Sequence, residues 1–176
     1  MTTTLPLGTT SNDVRWLDDP VHQRWLAHDA KAQFAFFQRC LRPEPGFHLL
    51  DLQGTPVPGA QQELHSTTRM VHSFALGQLA GVAGADEIVD HGMAYLWSHH
   101  RDTDHGGYVR ALDDTGITDG TKLAYGHMFV LLAGASARMA GHPDADRLIA
   151  YVTEVLDTRY WNEERGLFHD EYARDW

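Results

Sequence analysis

The sequence predicts an all-α fold of stacked helix hairpins joined by short β-hairpin loops. Three observations carry this. The stretch 119–141, DGTKLAYGHMFVLLAGASARMAG, has no internal Pro and ends at Gly141 with Pro143 just beyond, the start-and-stop pattern of one long helix. Three segments open on Gly beside an aromatic residue or Leu: GFHLLDLQGTP from Gly46, GGYVRALDDTG from Gly106 and GLFHDEYARDW from Gly166. Their spacing, roughly 60 residues, leaves room for two helices and a loop in each interval. Each segment also alternates apolar residues around an acidic or Gly turn, which reads as a short hairpin.

The elements follow in order. Residues 1–14 read as a polar tail and 15–176 as one domain. A first helix starts near Pro20, carries Trp25, Phe34, Phe37 and Leu41, and is stopped by Pro43 and Pro45. A second follows Ser66 or Thr67 and runs to Gly84; a third starts near Asp86 and passes through Ile88, Met93, Leu96 and Trp97. The 119–141 helix is the fourth. Tyr125, Phe129, Leu132 and Ser136 lie at three- and four-residue steps, with Met128, Leu131, Ala135 and Met139 beside them. That wide apolar face predicts packing on more than one side. A fifth helix begins beyond Pro143 and continues through Leu148, Tyr151, Val155 and Leu156 to about Arg159. Such pairs stack openly or close into a ring, and a ring of six pairs at this repeat length needs on the order of 360 residues.

Composition narrows the function classes. The 176 residues are 43% apolar and suit one globular domain with a sizeable core. The formal net charge is −10 and the basic residues are scattered, which excludes an electrostatic footprint for nucleic acid or anionic membrane. No apolar run is long enough to span a bilayer, and the opening residues lack the basic start and apolar core of a secretory signal. The lone Cys40 cannot form an internal disulfide, in agreement with a cytoplasmic location.

Candidate chemistry lies mainly at two helix starts. Lys122, Tyr125 and His127 stand near the beginning of the fourth helix, where they either line a cavity or serve as a solvated lysine and a hydrogen-bonded core histidine. Arg69 and His72 are one turn apart on the second helix and can share a face. The loop HHRDTDHGGY offers His99, His100, Asp102, Asp104 and His105, but its spacing matches no familiar zinc pattern and reads as a surface loop. Asp113, Asp114 and Gly116 read as turn residues. Glu163 with Glu164, and Asp170 with Glu171, are a weak pointer to a glycoside hydrolase.

Taken in order, TTRMVHSFALG, HGGYVRALDDTG, TDGTKLAYGHMFVLLAGASARMAG and RYWNEERGLFHDEYARDW, with GFHLLDLQGTPVPG before them, resemble the N-acylglucosamine 2-epimerase family. The resemblance implies an (α/α)6 barrel, of which the chain supplies about three helix pairs, the N-terminal half. It also implies cofactor- and metal-independent interconversion of sugars at C1 and C2. The epimerase branches usually carry a tryptophan where this chain has His72, so RMVHSFALG is more similar to the mannose and sulfoquinovose isomerases. Mannose isomerisation is the first expectation, with sulfoquinovose isomerisation and C2 epimerisation as alternatives.

Such a reaction moves a proton through an enediolate. It needs a group titrating near neutrality and fixed donors where oxygen becomes negative. The resemblance places Arg69 at the reactive end of the sugar and His127 at a sugar-contact position, with His72 and Tyr125 as further pocket residues. It places the acid–base histidines beyond Trp176, so no catalytic residue is expected within the chain. Part of a ring exposes apolar helix sides, which predicts that the rest of a barrel or a self-association partner covers them. A non-catalytic helical binding module is the alternative of another class.

Overall fold

The computed structural model describes residues 15–176; the polar tail predicted at 1–14 lies outside the described residues. The chain divides into a unit ending at Gln33 and a unit from Phe34 to Trp176. In the first, a 3-10 turn (Trp16–Asp18) leads into α1 (Pro20–Phe37), which starts on the proline expected to begin it and whose last residues, from Phe34, belong to the second unit. His22 stacks on Trp25 with ring centroids 6.0 Å apart.

The second unit is built on a repeat of 60 residues. Strand β1 (Gln62–Glu63) leads into α2 (Leu64–Leu79), and α3 (Ala85–Tyr95) follows. Strands β2 (Ala111–Asp113) and β3 (Gly116–Asp119) form a hairpin. Strand β4 (Lys122–Leu123) then leads into α4 (Ala124–Met139), and α5 (Ala145–Val155) follows. Strands β5 (Trp161–Asn162), β6 (Leu167–Phe168) and β7 (Glu171–Tyr172) end the chain. The starts of α2 and α4, of α3 and α5, and of the π-helical turns after them (Leu96–His100, Leu156–Tyr160) each differ by 60.

The same devices bound the helices of both repeats. Neither α2 nor α4 has a side-chain cap; the first N–H of each donates to a carbonyl in the following hairpin, Leu64 to Arg110 and Ala124 to Asp170, both at 2.8 Å. At the other end Gly81 and Gly141 take the left-handed conformation, with φ of 79° and 86°. Val82 and His142 then donate to Gly77 and Ala137 at 2.9 Å, which closes both last turns as Schellman motifs. The fourth helix is therefore shorter than the predicted 119–141. Its opening residues form β4, which pairs antiparallel with β7.

Helix α2 lies against α3 and α4, and α4 against α5, around one principal core that includes Val71, Phe74, Ile88, Leu96, Tyr108, Val130, Leu148 and Tyr160. Helix α4 is packed on more than one side, against α2 and α5, as its wide apolar face predicts, but most of its buried residues are small ones. Ala124, Gly126, His127, Val130, Ala133, Gly134 and Ala137 point inward, while Tyr125, Met128, Leu132 and Met139 are exposed. Small residues win the inward side because they let neighbouring helices come close. A Cβ on Gly126 would lie 2.9 Å from Leu64, and one on Gly134 2.9 Å from Ile149. On α2, Leu76 and Leu79 are likewise exposed. No helix of the described residues is long and apolar enough to cross a membrane.

Gly92 is the tightest helix contact: a Cβ there would stand 2.5 Å from Cγ2 of Val71 and 3.2 Å from the Phe47 ring. Gly92→Ala is expected to cost about 1–3 kcal/mol by overpacking, despite the better helix propensity of alanine. Urea unfolding at neutral pH measures this, and an unchanged or higher midpoint contradicts it.

Candidate functional site

Four side chains were expected to share a cavity. The structure gathers three of them along the exposed side of α2 and α4 and sends the fourth inward. Arg69, exposed on α2, donates from a terminal guanidinium nitrogen to the Tyr125 hydroxyl at 2.9 Å. Its guanidinium carbon lies 4.9 Å from the centroid of the Phe129 ring, and Tyr125 and Phe129 are 4.7 Å apart, centroid to centroid. Two aromatic rings one turn apart on α4 thus hold a cation presented by α2. Among the described residues Arg69 pairs with no carboxylate.

His72, half-buried one turn later, has Nδ1 2.7 Å from Ser136 Oγ. Ser136 already donates to the Leu132 carbonyl at 2.9 Å, so its oxygen accepts from His72 and leaves Nε2 of a neutral ring as an acceptor. Two further residues at this place were not picked out from the sequence. Phe129 stands among the apolar residues of the fourth helix, and His65 belongs to no motif. His65 lies one turn before Arg69, with its ring 6.5 Å from Tyr125 and its Nε2 3.0 Å from Glu63 Oε2.

His127 is two residues from Tyr125, about 200° around a helix, and the two point apart. It is fully buried. Its Nε2 accepts from the Tyr108 backbone N–H at 3.0 Å, and its Nδ1 donates to the Leu123 carbonyl at 2.8 Å, with the Tyr160 hydroxyl 3.1 Å away. Both nitrogens are occupied by the fold, the core-histidine alternative noted for this position. Burial lowers its pKa to about 4, against the hydrogen bond to Leu123.

Lys122 is not solvated. Its side chain is fully buried, and Nζ lies 2.9 Å from Asp102 Oδ2 and bonds the Gly106 carbonyl. Asp102 also accepts from Arg174 at 2.9 and 3.0 Å. Burial acts against its ionised form, but the bonds from Arg174 and Lys122 outweigh it and hold the carboxyl well below the usual carboxylate range. The loop 99–108 is accordingly more than surface, since His100, Asp102 and Tyr108 are all buried. Asp102, Asp104 and His105 come within 4.8 Å of one another, yet both Asp102 oxygens already face cationic side chains, which is poor chemistry for a metal.

Residues 46–176 match the family described as N-acylglucosamine 2-epimerase (GlcNAc 2-epimerase). The chain is 39% identical over 162 residues to a D-mannose isomerase of Pseudomonas cannabina pv. alisalensis, covering 92% of this chain and 38% of that protein. It is 38% identical over 164 residues to a D-mannose isomerase of Thermobifida fusca, covering 92% and 40%. A crystal structure of D-mannose isomerase superimposes with a TM-score of 0.81 at 32% identity, over 88% of this chain and 40% of the other. The chain thus spans about two fifths of the length of the curated relatives it matches. The fold is all-α, of the (α/α)6 toroid class.

The buried His127 makes stability depend on pH with a definite sign. Its folded pKa, about 4, lies below the ordinary 6.5, so the unfolded chain binds more protons between those values. The stability held by the neutral ring is complete above pH 6.5 and is lost as pH falls toward and through 4. The urea midpoint is expected to drop between pH 7 and pH 5, less so in His127→Gln; equal drops in both proteins would contradict this.

Proposed function

The chain belongs to the N-acylglucosamine 2-epimerase family, and on that premise we propose that it carries the oxygen-binding part of an isomerase converting D-mannose to D-fructose. The observation that carries the reading is the Arg69–Tyr125 pair. Arg69 spends one N–H on Tyr125, and Phe129 supports its flat face, so its other N–H groups are available to a sugar. Tyr125 accepts that bond, which leaves its own proton free to donate. Two donors held by packing are what a developing enediolate needs, because they require no reorganisation as charge forms. His72 offers Nε2 to a sugar hydroxyl, with Nδ1 fixed on Ser136. His127 belongs in this reading to the framework beneath α4 rather than to sugar contact.

The likeness to D-mannose isomerases supports mannose over the sulfonated sugar and over C2 epimerisation. Residues 15–176 are read as part of an (α/α)6 barrel, whose proton-transfer histidines come from outside these residues. The exposed Leu76, Leu79, Met128, Leu132 and Met139 support a covering by further chain or a second copy.

Mannose incubated in deuterated water with these residues joined to the remaining barrel that supplies the histidines is expected to give fructose carrying deuterium, and these residues alone are expected to give none. Arg69→Ala should lower that rate by about 10²–10³-fold, as for loss of one oxyanion donor. Equal turnover by Arg69→Ala removes Arg69 from the site. If a second copy covers the apolar helix faces, sedimentation will show a species heavier than 19.8 kDa; a monomer excludes that arrangement.

A further inference from the structure

On the α3–α5 side, away from Arg69, the fold assembles hydrogen-bond donors without acceptors. Trp97 carries two guanidinium groups: the Arg147 carbon is 3.8 Å from its ring centroid and the Arg101 carbon 4.6 Å. A guanidinium stacked on a ring keeps its in-plane N–H groups for other partners. Arg101 spends one of them on the Trp97 carbonyl at 3.3 Å. Among the described residues neither arginine has a carboxylate at ion-pair distance. Acids outnumber Lys and Arg by 24 to 14 in this chain, so two neighbouring unpaired arginines are not an effect of composition.

The third donor is Tyr108. It is 0% exposed, and its hydroxyl is one of two buried side-chain polar atoms without a hydrogen-bond partner among the described residues. A backbone bridge pairs Arg101 with Tyr108 in antiparallel fashion, and residues directly opposite one another share a face. The Tyr108 ring lies 5.8 Å from that of Tyr151, whose ring is in turn 5.7 Å from Trp97. Burial and the neighbouring Tyr151 raise the Tyr108 pKa, and the charges of Arg101 and Arg147 oppose that rise.

A buried hydroxyl left unbonded is costly, and two like charges against one ring repel. A tetrahedral oxyanion would relieve both, with several oxygens to accept from forked guanidinium groups and one from the phenol. We propose that Arg101, Arg147 and Tyr108 form a binding site for a phosphate or sulfate group, separate from the sugar-binding face. Residues 97–101 and α5 supply the two cations, and the 101–108 hairpin supplies the neutral donor.

Calorimetric titration of the chain with inorganic phosphate, against chloride at constant ionic strength, tests this. Saturable binding is expected, weakened at least tenfold in Arg147→Gln and in Tyr108→Phe. The first substitution is on an exposed side chain, and the second removes only an unbonded oxygen, so both variants should fold. A parallel titration with a hexose 6-phosphate separates free anion from ester; tighter binding than phosphate assigns the site to the ester, and equal binding to the free ion. Arg69→Ala should bind phosphate as the parent does. Absence of saturable binding, equal affinity in the parent and both variants, or loss in Arg69→Ala would overturn the proposal.

Discussion

A single buried carboxylate organises the part of the molecule on which the Arg69–Tyr125 pair rests. Asp102 accepts from Lys122 and Arg174, and its other contacts include the backbone N–H groups of Asp104 and His105. One group therefore fastens the 101–108 hairpin to the residues just before α4 and to the end of the chain. Tyr125 is three residues beyond Lys122, in the first turn of α4, so the direction of its hydroxyl follows from that anchor. Burying two charges costs several kcal/mol per ion, repaid only when geometry and further bonds are good. Here the lysine also bonds Gly106, and the Trp176 ring lies 5.1 Å from its Nζ, so the cation is well enclosed.

The repeat explains why His127 invites a catalytic reading without having that place. Thr67 and His127 occupy equivalent positions 60 residues apart, as do His100 and Tyr160. In the first repeat Thr67 bonds His100 at 3.1 Å; in the second His127 lies 3.1 Å from Tyr160. The same two backbone positions are bridged twice, with the histidine on opposite partners. Position 62 and its equivalent 122 behave likewise: Gln62 bonds the Phe47 N–H and Lys122 the Gly106 carbonyl, each closing the preceding Gly-led hairpin. These polar contacts are buried joints between helix and hairpin, and their conservation of geometry across different side chains marks them as structural.

The helix pairs present two different polar clusters on different sides. Arg69, Tyr125, Phe129 and His72 lie along the outward edge of α2 and α4, where Tyr125 and Arg69 remain exposed and His72 half-buried. The arginine–tryptophan cluster lies between α3 and α5. Paired helices with hairpins at one end offer two such sides from one core, and each is reached by substitutions that leave the small-residue contact of α4 intact.

The sequence alone determined the helix hairpins, the Gly-led loops between them, the family, and Arg69 with His72 as neighbours on one helix, because each is written in local order: a turn residue, a stop, a step of three. It could not say which side of α4 would be buried, since its apolar residues spread around most of the helix and periodicity does not reveal where a partner stands. Tertiary packing chose the small residues for the inside. That choice turned Tyr125 out toward Arg69, drove His127 and Lys122 into the interior, and brought Asp102 and Arg174, 72 residues apart, onto one another. Contacts of that reach depend on how closely whole helices approach, a quantity set by the volumes on both sides at once.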